Sequence, residues 1–195
     1  MARTLAVVLL LASAITVASC TGETERTNQQ KQQQNVLQHT VKDIDGNSVY
    51  LAQRYGDKIL LIVNVASKCG YTPQYEGLRT LYDRYREKGF EIAAFPANNF
   101  MNQEPGSDAQ IKEFCSRNFR VKFDMYSKIS VKGADKHPLY KELTDGSAHS
   151  FGGEIKWNFT KFLVVNGKVV ARYEPPVKPL SDEIVSDIEN ALKLR

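Results

Sequence analysis

Three cysteines could do chemistry in this chain: Cys20, Cys69 and Cys115. A thiolate is a nucleophile or a metal ligand, whereas a free thiol in a core is a small hydrophobe. Their spacing is neither that of zinc ligands nor that of a disulfide scaffold. His39, His137 and His149 form no metal-binding pair, so no metal centre is expected. Cys69-Gly70-Tyr71-Thr72 has threonine where a C-x-x-C exchanger needs its second cysteine. Cys69 follows a branched, apolar run from Ile59 to Val65, broken by the single polar Asn64. Such a run reads as a central strand buried on both faces. Thr72 then reads as an N-cap and Pro73 as a first helical residue. Cys69 would thus sit at a strand-to-helix turn ahead of a helix N-terminus, where a thiolate is electrostatically favoured. Position alone leaves a second reading open, a buried structural cysteine.

The elements that hold this turn follow from patterning. Val41 to Tyr50 alternates around Asp45-Gly46 and predicts an opening hairpin. After the central strand, Tyr75, Leu78, Tyr82 and Tyr85 share one face of a helix from about Pro73 to Glu87. Gly89 ends it, and Phe90 to Ala97 reads as the next strand. A loop over 98–107 leads to a capping box, Ser107 with Gln110, opening a helix to about Asn118 that carries Cys115. Phe123 to Ile129 suggests a short strand, and a short helix begins near His137-Pro138. Thr160–Val165 and Lys168–Tyr173 flank Asn166-Gly167, a strong hairpin signal. A final helix from Ser181 would bury Ile184, Ile188 and Leu192. Strands alternating with helices and closing on an antiparallel pair predict an α/β/α sandwich with a mixed sheet. The 195 residues, 42% of them hydrophobic and 25% charged, suffice for one core. The net charge of +4 is scattered and gives no basic run, so nucleic acid is not an expected partner.

The N-terminus reads as an address. Residues 1–20 carry Arg3, an apolar stretch from Leu5 to about Ala14, and Val17-Ala18-Ser19-Cys20. That is the pattern of a secretory signal, and the apolar run is short of the ~20 residues needed to span a bilayer. The end of the stretch resembles a bacterial lipobox, which implies lipidation at Cys20, with ordinary signal cleavage as the alternative. Residues 21–35 contain no apolar side chain and are expected to be a flexible, Gln-rich tether. The folded domain is expected over 36–195. The localisation this implies is the cell envelope or periplasm, with the protein on a membrane through an N-terminal lipid.

Three further stretches carry a resemblance: Asn64-Val65-Ala66-Ser67-Lys68-Cys69-Gly70, then Phe95 to Phe100 leading to Asn102-Gln103-Glu104-Pro105-Gly106-Ser107, and Lys156-Trp157-Asn158-Phe159-Thr160-Lys161-Phe162. Together they resemble the cysteine-containing, thioredoxin-fold branch of the glutathione peroxidase family. The resemblance implies a catalytic tetrad of Cys69, Gln103, Trp157 and Asn158, in which amide and indole N–H groups stabilise a thiolate and charge passing to oxygen. It implies that Cys115, 46 positions after Cys69, is a resolving cysteine.

On that reading Cys69 reduces hydrogen peroxide or an organic or lipid hydroperoxide and becomes a sulfenic acid. Cys115 then forms a disulfide with it, after local unwinding of its helix. No prosthetic group is implied, only an external thiol reductant, a thioredoxin-like protein rather than glutathione. The domain departs from many relatives at Ala97, where they have cysteine, and at Asn99, where they have glutamine. The short segment from Lys141 to Ile155 resembles that of members lacking a tetramer-forming loop, so a monomer is expected. Two other functions use the same features. A peroxide sensor could relay oxidation from the two cysteines to a client protein, and a non-catalytic binding lipoprotein could keep the fold without the reaction.

Overall fold

A computed structural model describes residues 35–194. The signal stretch, Cys20 and the tether up to residue 34 lie outside the described residues.

The sheet is built on β3 (Ile59–Val65), every residue of which is buried. Its neighbours are β4 (Phe90–Pro96), parallel to it, and β6 (Lys161–Val165), antiparallel. The two-residue β5 (Asp124–Met125) extends the sheet beside β4, and β7 (Lys168–Tyr173) extends it beside β6, in the order β5-β4-β3-β6-β7. A separate hairpin of β1 (Thr40–Lys42) and β2 (Ser48–Tyr50) precedes it. The turn of that hairpin passes through Gly46 at φ 87°. In the β6–β7 turn Asn166 and Gly167 both take positive φ, 51° and 75°, as a tight type I′ turn requires.

Side chains alternate across β3, so the sheet is covered on both sides. Ile59, Leu61, Val63 and Val65 join one core with α2 (Gln74–Tyr85), α3 (Asp108–Phe119) and α5 (Asp182–Lys193). Leu60 and Ile62 join the other with α1 (Leu51–Tyr55) and α4 (Pro138–Leu143). This is the expected three-layer α/β/α sandwich with a mixed sheet, a thioredoxin-like arrangement. Trp157 packs against both cores, at the end of the sheet where they meet.

Local expectations shift in four places. Helix α2 begins at Gln74, with Pro73 as its N-cap and no side chain capping it. Thr72 faces the other way, accepting from the Cys69 N–H at 3.0 Å and donating to the Ala66 carbonyl at 2.8 Å. The buried stripe of α2 is Tyr75, Leu78, Leu81 and Tyr85, with Tyr82 only partly buried, because a 3.6-residue period admits either neighbour. The same drift buries Ala191 and leaves Leu192 half-exposed on α5. The strand expected over Phe123–Ile129 shrinks to β5, after which Tyr126 bridges to Asp43 of the hairpin.

Candidate active site

Cys69 stands in the turn between β3 and α2, 7% exposed. The turn folds on itself: the Thr72 N–H donates to the Cys69 carbonyl at 3.0 Å, and the Tyr71 N–H points at Cys69 Sγ at 3.4 Å. That amide is placed to favour negative charge on the sulfur. The short hydroxyl link from Thr72 to Ala66 holds the turn to the end of β3.

The loop from Ala97 to Ser107 approaches from the C-terminal end of β4. Met101 and Asn102 take left-handed φ of 51° and 52°, which turns the chain back so that Gln103 faces the site. Two bonds sew this loop to the Cys69 turn. The Lys68 N–H donates to the Gln103 carbonyl at 3.0 Å, and Ser67 Oγ donates to Glu104 Oε2 at 3.0 Å. Asn98 Oδ1 accepts from the Glu104 N–H at 2.9 Å, while Asn99 reaches Ser130, Val131 and Lys132. Burial raises the Glu104 carboxyl above its ordinary range, opposed by Ser67 and the lysines 128 and 68. Ala97 is fully buried in the core beside this loop.

The third arm is the turn over 157–160. Asn158 is fully buried and its Nδ2 donates to Gln103 Oε1 at 3.0 Å. That bond occupies the acceptor of Gln103 and leaves its NH2 to serve as a donor. Phe159 follows at φ 67°, an unfavourable conformation for a bulky residue. Asn64 holds the turn to β3 with side chain and backbone together. Its Nδ2 donates to the Trp157 carbonyl at 3.2 Å, its Oδ1 accepts from Thr160 N–H at 3.1 Å, and its carbonyl accepts from Phe159 N–H at 2.6 Å. The polar break in the central strand is therefore the anchor of the Trp-Asn turn, a role that the sequence signals only as an amide out of place in an apolar run. Trp157 stacks obliquely on Phe100, ring centres 5.5 Å apart.

The segments that carry Cys69, Gln103, Trp157 and Asn158 are thus joined at the end of the sheet, and the one side-chain bond among the four is that of Asn158 to Gln103. Cys115 is not among them. It is a free thiol on the inward face of α3, 1% exposed, as Cys69 is also free. Burial pushes its thiol up to about 11, with the Tyr75 hydroxyl pulling the other way. A cleft of about 410 Å³ opens between the Cys69 turn and α3, lined by Lys68, Glu104, Gln110 and Phe114 among others. A second one, about 440 Å³, lies between Tyr71, Lys156, Trp157 and the loop from Glu174 to Pro176. Among the described residues no group of three or more His, Cys, Asp or Glu side chains could hold a metal ion. The thiol and the N–H donors beside it suit a nucleophile whose reaction moves negative charge onto oxygen, while Asn158 Oδ1 is buried without a hydrogen-bond partner.

The glutathione peroxidase family model matches residues 36–144. The chain is 46% identical over 159 residues to the glutathione peroxidase homolog BsaA of Halalkalibacterium halodurans, covering 81% of this chain and 99% of that one. It is 50% identical over 156 residues to the hydroperoxy fatty acid reductase gpx1 of Synechocystis, covering 76% and 90%. The crystal structure of Trgpx in apo form superposes with a TM-score of 0.65 at 35% identity, over 82% of this chain and 96% of that one. With the fold and the lengths in agreement, the chain belongs to the glutathione peroxidase family and is an enzyme of that family.

Proposed function

We propose that this enzyme is a two-cysteine thiol peroxidase acting on hydrogen peroxide and on organic or lipid hydroperoxides. The observation that carries the reading is the bonded set around Cys69, in which a nearly buried sulfur receives a backbone N–H and Gln103 is held by Asn158. The relative named for hydroperoxy fatty acids supports the wider peroxide class. In the first step the Cys69 thiolate attacks one peroxide oxygen. The O–O bond breaks, the distal oxygen leaves as water or an alcohol after taking a proton, and Cys69 becomes a sulfenic acid. Gln103, Trp157 and Asn158 serve as the tetrad partners, their N–H groups stabilising the charge that passes to the leaving oxygen.

In the second step Cys115 attacks the sulfenic sulfur, water leaves, and a Cys69–Cys115 disulfide forms. A disulfide needs Cα atoms roughly 5.5 Å apart. Cys115 starts buried in a formed helix, and its thiol must lose a proton that burial holds on up to about 11. Local opening of α3 serves both needs, since it exposes the thiol to water and frees it to travel. A thioredoxin-like protein then reduces the disulfide by thiol exchange, with glutathione as the alternative donor. The biological role is defence against oxidative stress.

Export belongs to the same proposal. Residues 1–20 act as a lipoprotein signal, Cys20 carries the lipid, residues 21–35 form the tether, and 36–195 form a monomeric enzyme domain in the cell envelope.

The test is to reduce the full chain carrying Cys20→Ser, add one equivalent of hydrogen peroxide, and map thiols by mass. Rapid loss of both Cys69 and Cys115 into one disulfide is the expected outcome. Oxidation of Cys69 with Cys115 still free would remove the resolving role and favour glutathione as donor. No oxidation of either would remove the peroxidase reading.

A further inference from the structure

The turn that carries Trp157 and Asn158 ends on a side chain that the reaction above does not use. Lys161, first residue of β6, is fully buried. Its partners are two backbone carbonyls and no carboxylate: Nζ donates to Phe159 O at 2.8 Å and to Val177 O at 2.7 Å. Burying an ammonium is costly unless its hydrogen bonds are well made, so a neutral core residue is the ordinary occupant of such a position. Both carbonyls belong to segments that shape the site. Phe159 is the residue at φ 67° directly after Asn158, and such a conformation persists only where its surroundings hold it. Val177 lies in the loop from Glu174 to Leu180, which walls two clefts that Tyr71 also lines, the one of about 440 Å³ at Trp157 and a further one of about 350 Å³ that borders Gly70 and α2. That loop is fitted closely to α2 as well. Gln74 Nε2 donates to the Pro175 carbonyl at 2.6 Å, and a Cβ at Gly77 would lie 3.3 Å from the Pro179 ring.

We propose that Lys161 is a positioning residue of the peroxidase site, its ammonium clamping the strained Trp157–Asn158–Phe159 turn to the loop that walls the clefts at Trp157 and Gly70. The inference rests on the peroxidase reading above. Asn64 grips the turn from β3 through Trp157, Phe159 and Thr160, and Lys161 grips the Phe159 carbonyl. With only one grip, the turn could relax toward an ordinary φ and withdraw Asn158 from Gln103.

The clamp is also sensitive to protons. Burial pushes the Lys161 ammonium down to about 7, with the charge of Glu174 opposing. Glu174 is itself bound by Arg172 Nε at 2.9 Å. Opposite Lys161 on β7 stands Tyr173, kept neutral by burial and bonded to Asp187 of α5; β3 presents Val63. Loss of the proton leaves neutral N–H donors, which bind carbonyls more weakly than charged ones.

Trp157 is the only tryptophan in the chain, so its emission reports this turn directly. Lys161→Met is expected to fold with a urea midpoint at or above that of the unaltered chain. It is also expected to lose tenfold or more in the second-order rate of Cys69 oxidation by hydrogen peroxide, and Lys161→Gln, which keeps an amide donor, should recover part of that rate. Equal rates in Lys161→Met and the unaltered chain would overturn the proposal. Absence of Cys69 oxidation in the unaltered chain is a different result: it removes the peroxidase reading, and with it the site to be positioned. Should Lys161→Met not fold, Trp157 emission is followed from pH 6 to 8.5 in Cys69→Ser with Lys161 intact. A transition centred near pH 7 is expected, and a flat response overturns the proposal.

Discussion

Asn64 and Phe159 meet where the Trp-Asn turn lies against β3, and their bond shows how single residues set this site. An amide in a strand otherwise made of branched apolar residues has no packing reason to be there. Here both ends of its side chain are used, one on the Trp157 carbonyl and the other on the Thr160 N–H. Asn64→Leu keeps the branched shape and removes both bonds, leaving the Thr160 N–H without a partner and the Trp157 carbonyl with the Thr160 hydroxyl alone. At about 1–3 kcal/mol for such an unpaired group, the variant should lose about 2 kcal/mol of stability, read as a lower urea midpoint. Its Trp157 emission should shift as well, because the turn loses its grip on the sheet. Cys115 illustrates the opposite case, a thiol kept out of reach in the core. Its burial in the core and its raised thiol make it a poor nucleophile while α3 is intact.

Helix α3 is therefore the element on which the proposed resolving step depends. Its start is well fastened: Ser107 Oγ accepts from the Gln110 N–H, and Gln110 Oε1 accepts from the Ser107 N–H, a complete capping box. Lys128 Nζ donates to the Gly106 carbonyl at 2.6 Å, and Asp108 accepts from the Lys128 N–H. At its far end Arg120, at φ 53°, donates back to the last turn. Removing a cap costs about 1 kcal/mol, which should make opening of α3 easier by that amount. Ser107→Ala is thus expected to speed the formation of the Cys69–Cys115 disulfide up to about fivefold, while the initial oxidation of Cys69 stays unchanged. Stopped-flow peroxide oxidation followed by quenched thiol mapping separates the two steps. Equal resolving rates in both proteins would mean that opening of α3 does not limit the second step.

At the scale of the whole molecule, the buried Lys161 couples folding to pH. Its proton is held less tightly in the folded chain, near 7, than in an unfolded one, near 10.5. Between those values the unfolded state binds more protons, so raising the pH favours the fold. Relative to Lys161→Met, the unaltered chain should gain about 2 kcal/mol between pH 7 and pH 9, measured by urea unfolding at each pH. Proposed anchoring is tested at the same scale. Full-length protein from an exporting bacterial host should partition into the detergent phase of a cloud-point extraction, and Cys20→Ser should move it to the aqueous phase. Recovery of both forms in the aqueous phase would remove the lipid anchor from the proposal.

The sheet and its two helical layers were legible because their signals are local and repeated. An apolar run marks β3, a period of 3.6 marks α2 and α5, a capping box opens α3, and Asn166-Gly167 closes the β6–β7 hairpin. The motifs around Cys69, Gln103 and Trp157-Asn158 could be read for the same reason, each being a short contiguous string. What the string does not carry is a direction for each side chain. Thr72 has the chemistry of an N-cap, yet it turns back to Cys69 and Ala66 because the chain has not entered the helix until Gln74. Asn64 and Lys161 read only as a break in an apolar strand and a charge among hydrophobic neighbours. Their partners lie 93 positions away for Asn64 and 16 for Lys161, at Trp157 and Val177. Type and spacing along the chain determine which elements form and which residues can react. Only the folded chain brings together a buried donor and its distant acceptors, because that pairing is set by how strands and loops converge at the end of the sheet.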